Sequence, residues 1–372
     1  WRVARNCSDH LNTRAETAGA LPSAAMPPAS PGPSAIVVDK FGGSVLRRPE
    51  DIAAAVGAVV AQREAGLRPV VVVSAFEGVT DAILRSAAVL LPDDELLRGP
   101  THEPDSPFAR EADRALATGE TLSAALFAMG LEARGIAARS FSGAEAGIRT
   151  AAAHLGAEVR RVLPRRLRAA LADGLVPVVA GFQGIGTHGE LTTLGRGGTD
   201  LSAVVLAVAL RADRCELFKD VGGVMEADPH DVPGARFLDA VDALQLELLA
   251  DLGAEIVHPV AVRRARRGKL ALVVRSVDAS HPQTVVRPIR RSGASAAQQP
   301  AGVLMLAVDR KERIARISLV GPAAMMPELL PVPAHGAGSF DEGGMRVVWA
   351  EVPVEQASRV AQSVHAALMS RS

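Results

Sequence analysis

A chain of 372 residues has room for a catalytic domain plus a smaller module, since single domains usually run to roughly 100–200 residues. Its 41 Lys and Arg balance 41 Asp and Glu, so no overall field draws it to nucleic acid or an anionic membrane, and the expected partner is a small molecule. No apolar run approaches the roughly 20 residues that a membrane-spanning helix needs.

The first 34 residues mix Arg, Ser, Ala and Pro without period and end in Pro27-Pro28-Ala29-Ser30-Pro31-Gly32-Pro33. Residues 1–34 therefore read as a disordered leader, either an extension ahead of a start at Met26 or a transit peptide, without the apolar core of a secretory signal. Cys7 and Cys215 match neither a CxxC site nor a disulfide framework, which suits a reducing compartment and makes cytoplasm the expectation. From Ala35, short β-branched runs alternate with amphipathic stretches, the pattern of parallel strands joined by crossover helices. Buried strands are predicted at 36–38, 69–73, 176–180, 215–218 and 270–274, each largely apolar as strands covered on both faces are. Helices are predicted at 51–63, 81–91, 121–134, 157–172 (interrupted by Pro164), 201–211 and 243–252. The fold class is α/β: a three-layer αβα domain over 35–278, with a mostly parallel open sheet. Ser, Pro, Arg and Gln make 279–300 a linker, and 301–372 a small α+β module. In that module strands are predicted at 303–308, 314–320 and 346–352, with a helix at 355–369 whose Ala357, Val360, Ala361, Val364 and Leu368 form one stripe.

Two strings carry chemistry. Lys40-Phe41-Gly42-Gly43-Ser44 follows the first strand, at the carboxyl end of the sheet where open α/β folds bind ligands. Its glycines let the backbone approach a bulky anion, and Lys40 supplies a point charge for phosphate; the spacing excludes a GxxxxGK[ST] loop. Thr192-Thr193-Leu194-Gly195-Arg196-Gly197-Gly198-Thr199-Asp200 opens an almost wholly apolar helix, making an amino-terminal anion site. Asp200 alone would pass for a helix cap, but a cap needs neither three glycines nor an arginine. No two histidines stand at metal-ligand spacing, so no protein metal site is expected.

Together these strings resemble the amino-acid kinase superfamily and, within it, the aspartokinases. The similar segments are 71–81 (Val71 through Ser74-Ala75-Phe76-Glu77-Gly78 to Asp81), Thr118-Gly119-Glu120 opening a helix, 182–200, Lys219-Asp220-Val221-Gly222-Gly223-Val224 with Asp228-Pro229, and Gly253-Ala254-Glu255-Ile256-Val257-His258-Pro259. The resemblance covers about 36–276. It implies transfer of phosphate from ATP, with Mg2+ bridging the phosphates, to the side-chain carboxylate of L-aspartate, the first step of the aspartate-family route to lysine, threonine and methionine. By resemblance Lys40 neutralises the transferring phosphoryl group and Asp200 orients it. Ser74, Glu120, Arg196, Gly197 and Thr199 face the amino acid, with Arg196 on the α-carboxylate and Glu120 on the α-ammonium. Gly42, Gly43, Ser44, Gly198, Lys219, Asp220, Met225, Asp228, His230 and Glu255 face ATP. Two alternatives stay open: a different amino acid or carboxylate as acceptor, and a catalytically silent regulatory homologue.

The chain departs from the pattern chiefly on the nucleotide side. Ser44-Val45 stands for the usual Thr-Ser, Glu255 for a lysine, His230 for an arginine and Met225 for an aromatic residue. Hydrogen bonds to charged groups contribute about 1.5–3 kcal/mol each, so two lost cations weaken ATP binding by a few kcal/mol unless Lys219 offsets them. The carboxyl-terminal module resembles a single abbreviated ACT domain, suited to a homodimer or higher homo-oligomer. Its effector-loop position holds Gly321-Pro322-Ala323-Ala324-Met325-Met326-Pro327 in place of the family pattern. The expected outcome is turnover unaffected by lysine or threonine, checked by adding each at physiological concentration; inhibition by either would overturn it.

Overall fold

Valine-rich strands form the middle of the molecule, because a run such as Arg-Pro-Val-Val-Val-Val has no polar face to offer water and must be covered on both sides. The computed structural model describes residues 35–89, 106–254, 256–288, 304–326, 330, 334 and 336–369. In chain order the elements are β1 (Ile36–Phe41), α1 (Ile52–Glu64), β2 (Arg68–Val73), α2 (Val79–Ala88), α3 (Pro107–Glu132), β3 (Ala138–Phe141), α4 (Gly143–Ala146), β4 (Ile148–Thr150), β5 (Val159–Val162), α5 (Arg165–Ala172), β6 (Val176–Ala180), β7 (Gln183–Ile185), β8 (Leu191–Thr193), α6 (Gly198–Leu210) and β9 (Arg214–Lys219). There follow β10 (Val224–Met225), β11 (Phe237–Leu238), β12 (Ala240–Asp242), α7 (Ala243–Asp251), α8 (Pro259–Arg267), β13 (Ala271–Ser276), β14 (Thr284–Arg287), β15 (Met305–Arg310), β16 (Ile314–Pro322), β17 (Gly336–Glu342), β18 (Met345–Pro353) and α9 (Ala357–Met369).

The main sheet has the order β12-β14-β13-β9-β1-β2-β6-β3. From β13 to β3 it is parallel; beyond β13, β14 runs antiparallel and the edge strand β12 pairs parallel to β14. Alternate side chains feed two cores. Val38, Val72, Leu217 and Leu272 pack under α6 and α8, while Phe41, Val71, Val73 and Phe218 pack under α1 and α3. Phe41 stacks on Phe218 with centroids 4.5 Å apart, fixing β1 against β9. The expected three-layer α/β architecture is therefore present.

Several elements differ from the sequence expectation. Glu120 does not open a helix: α3 starts thirteen residues earlier at Pro107, where Ser106 Oγ caps Ala109 N–H, and Gly119 lies in its interior. That glycine serves close approach, since a Cβ there would lie 2.7 Å from the Ala75 Cβ. The predicted helix 157–172 is a strand, β5, followed by α5; Pro164 blocks helical hydrogen bonding across the junction, and β5 pairs with β4. β14 falls within the stretch read as a linker, held by Thr284 Oγ1, which accepts from Val224 N–H (2.7 Å) and donates to the Leu238 carbonyl (2.5 Å). Between the strands predicted at 314–320 and 346–352, where none was expected, lies β17, an exposed edge strand.

The small module is an antiparallel sheet in the order β15-β16-β18-β17 with α9 on one face. Its other face meets α7, where Gln245 Nε2 donates to the Val320 carbonyl at 2.9 Å. The loop between β10 and β11 is built into this module: Ala227, Val232 and Ala235 share a core with Ile317, Val348 and Ala361. Asp231 is the polar hub. It accepts from both Arg310 guanidinium nitrogens and from Ser358 Oγ at 2.7 Å, while its carbonyl accepts from Gln362 at 2.9 Å. Glu226 adds a contact to His365 Nε2 at 2.9 Å. Replacing Asp231 by Ala strips Arg310 of its acidic partner and leaves it Ser358 alone, with an expected cost of about 1–3 kcal/mol in a thermal or urea melt. A variant that melts with the wild type would refute this role.

Candidate active site

The cleft is assembled at the carboxyl edge of β1, β2, β6 and β9, where each parallel strand hands over to a turn. Lys40, Gly43, Ser44, Ser74, Glu120, Arg196, Gly197, Gly198, Thr199, Asp200 and Lys219 all line one cavity of about 450 Å3. Lys40 and Asp200 are almost fully buried. Lys40 Nζ stands 2.6 Å from Asp200 Oδ1, and Lys219 Nζ stands 3.6 Å from Oδ2. The Lys40 side chain folds over Gly42, where a Cβ would lie 2.9 Å from Nζ. Asp200 occupies the first turn of α6, after Gly197 at φ 71° has turned the chain into the helix. Burial pushes the Asp200 carboxyl up, but the Lys40 and then the Lys219 cations outweigh it and bring its pKa down to about 2. Lys219 is itself lowered, by burial first and by Lys40, against the pull of Asp200.

Opposite this charged group, Glu120 reaches from the interior of α3. Its Oε1 accepts from Ala75 N–H at 3.1 Å, and its buried Oε2 has no partner among the described residues. Burial lifts its pKa from 4.5 to about 7. Arg196, by contrast, is exposed at the cleft rim and makes no ion pair among the described residues. The cleft thus offers an acid awaiting a cation, an arginine awaiting an anion, and buried cations in excess of their counter-charge.

Phe182 was not singled out from the sequence, yet it lines the cleft at φ 65°, a left-handed backbone unusual for a bulky residue. Hydrogen bonds from Phe182 N–H to Ser202 Oγ (3.0 Å) and from Leu194 N–H to its carbonyl (2.8 Å) hold it there. Its place directly beyond the end of a buried parallel strand was the available signal. His258 caps α8, its ring packs over Gly197 and its backbone N–H donates to Asp200, a supporting position consistent with a structural reading of its segment.

The remaining nucleotide-side residues are not brought into the cleft lining. Asp220 is exposed beyond Lys219, Met225 packs against the core of the small module, and Asp228 pairs with the exposed His230 at 2.9 Å. Gly42 lies behind the lining, and Glu255 lies outside the described residues.

Fold and cleft together define an α/β protein with a lysine- and arginine-lined cleft at the carboxyl edge of a parallel sheet. Residues 35–276 match the amino acid kinase family. The chain is 38% identical over 307 residues to the aspartokinase of Mycolicibacterium smegmatis, covering 82% of this chain and 67% of that protein. It is 41% identical over 253 residues to the aspartokinase of Corynebacterium glutamicum, covering 68% and 57% respectively. Its fold is similar to E. coli aspartokinase III crystallised with aspartate and ADP, at a TM-score of 0.69 and 19% identity over 89% of this chain and 99% of that one. The chain belongs to the amino acid kinase family, in its aspartokinase branch. It spans about three fifths of the length of the curated relatives, 67% of one and 57% of the other.

The Glu120 shift has a consequence for stability. The folded carboxyl holds its proton to about pH 7 while the unfolded one releases it near 4.5, so stability falls as pH rises between these values. Above pH 7 the cost reaches about 3 kcal/mol. Glu120→Gln is therefore expected to gain stability over the wild type at pH 8 relative to pH 5. Melting curves that differ equally at the two pH values would contradict this.

Proposed function

We propose that this chain transfers the γ-phosphoryl group of ATP to the side-chain carboxylate of L-aspartate, giving 4-phospho-L-aspartate and ADP. The observation that carries the reading is the convergence, in one cleft, of Glu120, whose Oε2 has no partner among the described residues, Arg196 and the Lys40–Asp200–Lys219 group. Glu120 takes the α-ammonium and Arg196 grips the α-carboxylate through a bidentate pair. The third charged end of the amino acid is then left to face the lysines. The aspartate and ADP held by the E. coli relative support both ligands.

A side-chain carboxylate with a reference pKa near 3.9 is ionised at neutral pH, so no general base is required. One of its oxygens forms a bond to the γ-phosphorus while the bond to the β,γ-bridging oxygen breaks, and ADP leaves with that electron pair. What the protein supplies is alignment and positive charge. Lys40 stands where negative charge gathers on the transferring group, and Asp200 keeps its ammonium aimed. The amide group of Gly43, with Ser44, suits phosphate oxygens. Ser74 and Gly197 lie on the amino-acid side.

Mg2+ accompanying ATP would neutralise the β- and γ-phosphates. No group of three His, Cys, Asp or Glu suited to a metal occurs among the described residues. A magnesium ion carried on phosphates fits that arrangement, since it takes only one or two carboxylates together with phosphate and water. The reading extends to the first step of the aspartate-family amino-acid pathway and to the cytoplasm, where the free, buried Cys215 is at home. The exposed edge of β17 suits pairing with a second copy.

The test is coupled ADP release across candidate amino-acid and carboxylate acceptors. L-aspartate is expected to be preferred, and Lys40→Ala to lower kcat by about a thousandfold, the scale of removing a preorganised transition-state contact. Preference for another acceptor, or turnover that survives Lys40→Ala, counts against the reading.

A further inference from the structure

Asp113 is a fully buried acid that the proposed chemistry does not touch. It lies on α3 seven residues before Glu120, so the two carboxylates share one face of the helix, about 10 Å apart along its axis. Each of its oxygens is engaged. His154 Nδ1 donates to Oδ2 at 2.7 Å, which fixes the ring tautomer; Leu155 N–H donates to Oδ1 at 3.1 Å, and Thr193 Oγ1 donates to the same oxygen.

All three donors belong to segments that frame the Arg196 loop. Thr193 ends β8, three residues before Arg196. Leu155 and Gly156 lie beneath Gly195, where a Cβ would meet the Gly156 Cα at 3.4 Å, and Ala157 N–H donates to the Thr193 carbonyl at 2.8 Å. Leu155 is held at φ 56°, a left-handed conformation that a leucine adopts only when its surroundings impose it. One helix therefore carries Glu120 into the cleft and, two turns earlier, ties down the loop that bears Arg196.

We propose that Asp113 is a positioning residue: through Thr193 and the His154-Leu155 turn it locks the Arg196 loop to α3. In doing so it sets the spacing between Arg196 and Glu120 that measures the amino-acid substrate from α-carboxylate to α-ammonium. This rests on the roles proposed above for those two residues.

The experiment is steady-state kinetics on the full chain with Thr193→Val, which deletes one donor at constant shape, Thr193→Ser, which retains it, and Asp113→Ala. Loss of a hydrogen bond to a charged group predicts a rise in KM for L-aspartate of about tenfold in Thr193→Val, with KM for ATP within about twofold of wild type. Thr193→Ser should stay near wild type, and Asp113→Ala should move in the same direction as Thr193→Val and further. A purely structural role would lower kcat and melting temperature together and leave the aspartate KM in place, and that result overturns the proposal. Should Asp113→Ala fail to fold, the Thr193 pair decides. Wild-type chain without turnover on aspartate overturns the functional reading and this proposal together; wild-type turnover with an aspartate KM unmoved by Thr193→Val overturns this proposal alone.

Discussion

The contact on which the cleft depends is the buried pairing of Lys40 with Asp200, 2.6 Å apart, with Lys219 as a second cation 3.6 Å from the same carboxylate. Two ammonium groups withdrawn from water cost several kcal/mol each unless compensated, and one carboxylate compensates only part of that charge. The depressed pKa of Lys219 is the sign of this imbalance. An arriving anion relieves it. The site is in this sense suited to an anion, and the amino-terminal end of α6 adds its dipole on the same side.

The two ends of the cleft are held by different parts of the molecule. The Glu120 end hangs on α3, whose Gly119 lets the helix press against Ala75 so that Glu120 can bond that residue's amide. The opposite end leads through β9 and Lys219 into the β10–β11 loop, whose core is shared with the small module. Packing is thus continuous from the module, through Asp231 and Glu226, toward the segment beyond Lys219.

Much of this was legible in the sequence, and the limits are physical. Buried parallel strands announce themselves as valine runs, and β6 was placed to the residue because both of its faces are covered. The glycine-rich strings were legible because a backbone that wraps an anion excludes side chains. Glu120 was found as a residue but not as part of a helix interior: locally Gly119 looks like a boundary, and only the long-range contact with Ala75 explains it. β14 and β17 escaped because polar and proline-rich composition masks strands at or near a sheet edge, where one side stays in water. Phe182 escaped because its importance lies in a backbone angle, which composition does not reveal. The sequence also groups Met225, Asp228 and His230 with the nucleotide, whereas Met225 packs on the small module and the other two pair in solvent.

Behind Lys40, on the other face of β1, the fold tolerates a second buried acid of a different kind. Asp39 is fully buried and lies beside Glu216 on the neighbouring strand. Burial, and then Glu216, raise its pKa well above the usual carboxylate range. Gln62 Nε2 donates to one of its oxygens at 3.1 Å, while Arg214 and Arg275 hold Glu216 at 2.6 and 3.2 Å. The contrast with Asp200 is instructive, because both acids are buried on or beside the same strand. Asp200 faces two lysines and stays ionised; Asp39 faces another acid and favours the proton. The alternation of a single strand therefore separates the Lys40–Asp200 pair that faces the cleft from an Asp39 that favours its proton and does not. The charge that matters for an incoming anion stays on one side of the sheet.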